Sequence, residues 1–455
     1  MSVFQGSIRT LRRDITTLNL SIINHIYDQV SPLLQSILPQ IQYFINDKDS
    51  LSRILVNFDF HGLFSYLFLM NQKKIDLKNA IYFLSILCKT QIFDPRYLLN
   101  KQNVLLIFSL IDANSTDPPV ISVLLTILCK LTTPYSLSYL LFYNNNLFQR
   151  IIDYKIFFPI SHILYHVVLS SFHDNYALKK QISVNILRSS LKTLQSKASI
   201  YENEQLMHEE IAYSLKIFAI FIKNSTFPID FNIDILLNNR QIYLKGPEII
   251  QESFLDFIYS YDSVGIEILN EILPFFTDRN IKSSLTAVKI FKKSLFEQDN
   301  EPDDIDEDSE EEEKEEENKN TLNLSLFPIL PNIISELYQK EPKIVQDEAL
   351  PLVVELFKIQ MITSDLFSIL CSRISTDYIS IEIISHLIDE FNAGNKAQIG
   401  LLPIGTFYQI LNIHLNDLKT LSIRNSQMPL TPNSTQLLSK ISQSIDSYNG
   451  SKKQT

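Results

Sequence analysis

Leu84-Ser-Ile-Leu-Cys-Lys89 and Leu125-Thr-Ile-Leu-Cys-Lys130 are almost the same hexapeptide, set forty-one residues apart. A looser copy, His166-Val-Val-Leu-Ser-Ser171, falls another forty-one residues on. The same step carries Ile111-Asp112 onto Ile152-Asp153, and Gly62 onto Asn103 and then Asn144. A period near forty belongs to stacked helical units, each too apolar to stand alone and each completed by its neighbours. Within each unit the pattern predicts a shorter helix after Gly62, Asn103 or Asn144 and a longer one over 78–90, 119–131 or 160–171. Gly and Asn at the start of each unit suggest left-handed corners between helices.

Composition agrees with an all-helical chain. Of 455 residues only 8 are glycine, too few for barrels, sandwiches or glycine-loop nucleotide folds. Hydrophobic residues make up 45% and charged residues 20%, which suffices for an extended core. The net charge of −11 is local in origin: 299–317 holds fourteen acids and one lysine, leaving 37 acidic and 39 basic residues elsewhere. A near-neutral body gives no general attraction to nucleic acid or anionic lipid, so neither partner is expected. Cys88, Cys129 and Cys371 are few, distant and set in apolar runs, as buried free thiols of a reducing compartment would be. No apolar stretch is long enough to predict a membrane span. Arg9, Arg12 and Arg13 would suit a mitochondrial presequence, but Asp14 and the helical pattern that follows argue against one.

In chain order, 1–20 reads as a basic amphipathic extension with Ile8, Leu11, Ile15 and Leu18 at helical spacing, and 21–296 as helical repeats. The first helices of that run are expected to break at Pro32 and Pro39. Between 176 and 260 the step is lost, predicting an enlarged unit. The stretch 297–321 is an acidic, disordered loop, because like charges repel and cannot bury. Repeats resume over 322–424, and 425–455 reads as a polar flexible tail.

Two later segments show an apolar helix with proline, a short charged turn and a second apolar helix. They are Ile272-Leu-Pro274 with Asp278 and Ile281, and Ile329-Leu-Pro331 with Pro342 and Val345. Here the chain resembles the armadillo/HEAT family of helical repeat proteins over roughly 50–425, and 80–90 and 121–131 look like the family's third helix. The resemblance implies a right-handed α-solenoid of about nine repeats, with that helix lining a groove for extended peptides. It carries fold further than function. One branch, the importin-type nuclear transport adaptors, reads basic signals with Trp and Asn on that helix. This chain has no Trp and places Tyr82, Ile86, Val123 and Ile127 there.

Little catalytic chemistry is legible. His162 and His166 have the four-residue spacing of a metal-binding pair, yet Ile163 stands where a metalloprotease has glutamate, and the step equates both with the core positions Ile121 and Leu125. His208-Glu209 begins a zinc-hydrolase pattern that Ala212 ends. No phosphate-cradling loop or nucleophile motif appears, so no cofactor and no enzyme is expected, although carboxyl groups distant in sequence could still meet. Ser122, Thr126 and Lys130 follow at four-residue spacing, with Ser85 and Lys89 in register one unit earlier. They form either a polar ladder facing the groove or an ordinary solvated edge. Ser309, inside Asp308-Ser-Glu-Glu-Glu-Glu313, has the flank acidophilic kinases prefer. The acidic run is then a tunable lure for a basic segment or a solubilising spacer. The resulting expectation is a non-catalytic scaffold, adaptor or regulatory subunit of the cytoplasm or nucleus that binds a protein or extended peptide. The alternatives are an importin-type adaptor and an enzyme with an unrecognised site.

Overall fold

The computed structural model describes residues 2–44, 47–88, 90, 93–132, 142–143, 147–154, 160–173, 180–195, 204–224, 234–261, 264–296, 324–373, 378–394, 398–399, 402–414 and 434–452. Lys89, Asn144, Ser309 and the whole acidic run therefore lie outside the described residues. Among those described, the fold is all-α. Its only sheet pairs Gln398–Ile399 with Leu402–Pro403 antiparallel, Gln398 opposite Pro403 and Ile399 opposite Leu402. Packing divides the chain into two units, Met1–Phe257 and Ile258–Thr455.

The first unit contains α1 (Ser2–Ile23), α2 (Val30–Phe44), α3 (Lys48–Leu55), α4 (Phe60–Gln72), α5 (Lys78–Leu87), α6 (Pro95–Leu98), α7 (Lys101–Ala113) and α8 (Pro118–Thr132). Then come α9 (Leu147–Asp153), α10 (Ile160–His173), α11 (Lys180–Gln195), α12 (Glu204–Lys223), α13 (Asp234–Asn238), α14 (Arg240–Leu244) and α15 (Glu248–Tyr259). The helices expected over 78–90, 119–131 and 160–171 are α5, α8 and α10, but in the first repeat the lengths are reversed, α4 having 13 residues and α5 only 10. Two rows of contacts run through these elements. In one, α2 packs on α5, α5 on α8, α8 on α10 and α10 on α12. In the other, α1 packs on α4 and α4 on α7, while α9 packs on α11. Cross-row contacts α1–α2, α7–α8, α9–α10 and α11–α12 enclose the core. Leu, Ile and Phe dominate it, and Phe44, Phe83, Phe108, Phe142, Phe218 and Phe221 are fully buried.

Polar ties on the second row repeat with the sequence step. Asn71 Nδ2 donates to Ser109 Oγ at 2.8 Å, and Arg150 Nη2 reaches both Asp112 carboxylate oxygens at 2.8 and 2.9 Å. Moving both partners of the first pair forward by forty-one residues gives the second. Farther along, Asn185 Nδ2 contacts Gln149 Oε1 at 3.5 Å.

Several local expectations change. Gly62 is not in a left-handed corner: it sits in the first turn of α4, where its N–H donates to the Asp59 cap at 2.9 Å. A Cβ there would lie 2.4 Å from Asp59 Oδ2 and 2.7 Å from Ile22 Cγ2, so close approach to α1 requires the glycine. Asn103 likewise sits in the first turn of α7, its N–H donating to Asn100 and its side chain to Leu98 O. Among the described non-glycine residues, the left-handed ones are instead His25, Lys74 and Gln360. Pro39 does not break α2, which continues to Phe44. The N-terminal segment is not an appendage either: Leu11, Ile15, Leu18 and Ile22 are buried in α1 against its neighbours, while Arg12 and Arg13 stay exposed.

The second unit contains α16 (Ile266–Ile272), a 3-10 turn at Leu273–Thr277 with Pro274 near its start, α17 (Ile281–Phe296), α18 (Leu330–Lys340), α19 (Lys343–Lys358), α20 (Ser364–Arg373), α21 (Tyr378–Gly394), α22 (Ile404–Ile413) and α23 (Ser434–Lys452). The 3-10 turn packs on α18, α18 on α20 and α20 on α22, while α17 packs on α19 and α21 on α23. The proline–turn pattern read from sequence maps onto these pairs: Pro331 lies in the first turn of α18 and Pro342 caps α19.

Helix α23 lies in the segment assigned by composition to a flexible tail. Its Leu438, Ile441 and Ile445 form a stripe at helical spacing and are buried. Tyr408 and Tyr448 stack with centroids 4.0 Å apart, and Asn412 and Asn449 exchange side-chain hydrogen bonds. Each buried Leu or Ile contributes about 1.5–3 kcal/mol, enough to hold a helix whose average composition is polar.

Candidate partner-binding face

The contact row α8–α10–α12 groups partly exposed polar and aromatic side chains. Helix α8 buries Ile121, Leu124, Leu125 and Leu128, leaving Ser122 and Thr126 half-buried and Lys130 exposed. Thr126 Oγ1 is turned inward along its own helix, donating to Ser122 O at 2.9 Å. Ser85 is buried on α5, so a ladder continuing onto that helix would lose its serine to the core. Of the polar ladder, Ser122, Thr126 and Lys130 retain some exposure.

Helix α10 buries Ile160, Ile163, Leu164, Val167 and Val168, which leaves His162, Tyr165, His166 and Leu169 on one partly exposed stripe. On α12, Ala212, Leu215 and Phe218 face the core, and Glu209, Tyr213 and Lys216 follow one another on the partly exposed side. The two stripes interlock. His162 stacks on Tyr213 with centroids 4.0 Å apart and planes 10° from parallel. His166 lies 4.9 Å from His162, Tyr165 lies 5.4 Å from Tyr213, and Lys216 Nζ is 5.0 Å from the Tyr213 centroid.

Beneath the rings is a polar cluster that sequence periodicity does not reveal. Glu210 is fully buried and accepts from Ser161 N at 2.8 Å and Ser161 Oγ at 2.7 Å. Ser161 Oγ also lies 2.9 Å from Ser214 Oγ, and Thr193 Oγ1 of α11 donates to Glu210 Oε1 at 3.4 Å. The carboxyl group thereby satisfies an open N–H in the first turn of α10, where the helix dipole favours an acceptor. Ser161 precedes His162, and Glu210 and Ser214 flank Tyr213. The buried cluster therefore sets the register that brings the rings together.

Electrostatics keep these rings neutral. Burial, then the neighbouring His166 and the lysines 130 and 216, lowers His162 to about 3. Burial with Lys216 and Lys130 lowers His166 to about 4. Burial pushes Tyr213 up to about 12, with Cys129, Glu209 and Tyr165 adding to it. The thiol of Cys129 is likewise raised to about 12 by burial, and that of Cys371 is raised further. All three cysteines are buried thiols outside any disulfide. At neutral pH these imidazoles are therefore uncharged and the thiols of Cys129 and Cys371 un-ionised.

Among the described residues no three His, Cys, Asp or Glu side chains converge, and two lysines bear on both imidazoles. His208 lies 3.7 Å from Glu204 on the exposed start of α12. A separate recess of about 150 Å³, lined by Tyr143, Phe148, Gln149, Ile152, Ile182 and Asn185, is large enough for a single side chain. Among the described residues, no helix is long and apolar enough to cross a membrane.

No protein-family model matches the chain, and neither a curated protein nor a solved structure matches it.

Proposed function

We propose that the chain is a non-catalytic protein–protein interaction scaffold, adaptor or regulatory subunit that binds a protein or extended peptide along α8–α10–α12. In this reading it is a right-handed α-solenoid of about nine armadillo/HEAT-like repeats, working in the cytoplasm or nucleus. The forty-one-residue step and the two contact rows of the first unit support the architecture. The function rests on one observation: three successive helices of a row share a partly exposed surface of rings and charges. Aromatic groups of this kind dominate binding energy at protein interfaces. The importin-type alternative lacks its tryptophans, and the neutral histidine cluster gives an enzyme no evident acid–base pair.

A photo-crosslinking residue at Tyr165, compared with one at exposed Ser109 on the other row, tests this reading. Selective capture of a protein from the first position supports it. Equal capture from both positions, or selective capture from Ser109, rejects α8–α10–α12 as the binding face.

A further inference from the structure

The chemistry of that face narrows what it would hold. Helix α8 carries Lys130 and no acidic residue, and α10 carries neither Asp, Glu, Lys nor Arg. Helix α12 adds Lys216 and Lys223, against Glu209 on the same side; Glu210 is buried, and the exposed Glu204 of the first turn lies beside His208. Outside 299–317 the chain is near neutral, and this side of the three helices carries more lysine than exposed acid. Its positive groups flank a neutral ring platform: Lys130 and Lys216 both act on His162 and His166, and Lys216 lies over Tyr213.

We propose that α8–α10–α12 docks an acidic, Asp/Glu-rich segment of a partner protein, with Lys130 and Lys216 meeting its carboxylates and the His162–Tyr165–Tyr213 rings supplying the contact between them. This deepens the scaffold reading and rests on it. Charge complementarity selects the sign of the partner. The form of the cations favours carboxylate over phosphate: α8, α10 and α12 offer lysines and no arginine fork for a phosphoryl group. So small a number of lysines also disfavours nucleic acid, whose backbone is followed by a continuous basic track.

Full-length protein would be titrated into fluorescein-labelled (Glu-Tyr)6, with (Lys-Tyr)6, a phosphoserine peptide of equal length and a thymidine 12-mer as separate arms. The expected result is salt-sensitive binding of (Glu-Tyr)6, weaker binding of the other three, and a loss of about tenfold or more on K130A/K216A. The K130E/K216E protein should gain affinity for (Lys-Tyr)6, a positive signal that an unfolded variant would not give. No (Glu-Tyr)6 binding at low salt, or binding unchanged in both lysine variants, overturns the proposal. Tighter binding of the phosphopeptide or of the thymidine strand overturns it in favour of that ligand. Continued crosslinking from Tyr165 after such a failure would show that the scaffold reading survives without this choice of partner.

Discussion

Helices α5 and α8 meet in a manner different from α10 and α12. The buried side chains of the first pair are Ala, Ile, Leu, Phe, Val and Cys, with Ser85 and Thr132 added. Across the second pair lie a buried carboxyl group, two serine hydroxyls and a stack of imidazole on phenol. Apolar packing tolerates small shifts of one helix along another, because each contact resembles the next. The hydrogen-bonded cluster has far fewer acceptable registers, since every polar atom left alone carries a desolvation cost. The contrast is between a joint specified by volume and one specified by direction.

The sharpest way to break that contrast is to remove the carboxyl group. Glu210→Ala should cost about 3 kcal/mol by urea denaturation, because Ser161 N and two hydroxyls lose their acceptor. Glu210→Gln, which keeps an acceptor oxygen, should cost less. Ser85→Ala at the apolar joint should stay within about 0.5 kcal/mol. Equal effects of Glu210→Ala and Ser85→Ala would erase the distinction.

Acid should separate the two joints next. The folded histidines protonate only near pH 3 and 4, against an ordinary value of 6.5. An unfolded chain therefore binds more protons as pH falls from 6.5 toward 4, and stability declines over that window. Each imidazole contributes up to about 1.4 kcal/mol per pH unit. Thermal melts should show the H162Q/H166Q protein losing less stability between pH 6.5 and 4.5 than its parent. A parallel decline in both proteins would detach the acid sensitivity from these rings.

The smallest effect belongs to the exposed tie between Asp112 and Arg150. A double-mutant cycle with D112A and R150A should give a coupling below about 1 kcal/mol, despite its two-pronged geometry. A larger value would mean that this edge, and not the buried joint, holds the register of the first unit.

The two joints were unequally legible in the sequence. Helices α5, α8 and α10 were readable because the forty-one-residue step repeats the apolar spacing itself. The step failed for neighbours. It equates position 130 with 171 and His162 with Ile121, whereas the charge of Lys130 acts on His162 and His166. Glu210 stayed hidden because one acid among Glu204, Glu209 and Glu210 looks like a solvated helix start until its partners on α10 and α11 are known. Tyr213 was obscured in the same way, as an aromatic on a helix whose spacing to α10 no longer follows the repeat. Helix α23 was lost by averaging: Leu438, Ile441 and Ile445 are diluted by Ser, Asn and Gln. The polar ladder overreached at Ser85, since four-residue spacing defines a face without saying which way it points.

The side-chain links Asn71–Ser109, Asp112–Arg150 and Asn185–Gln149 sit at exposed positions along one edge of the first unit. Water can replace each bond as it opens and give it back as it closes. Under tension this edge would therefore yield stepwise, one hook after another, while the hydrocarbon interior behind it stayed shut.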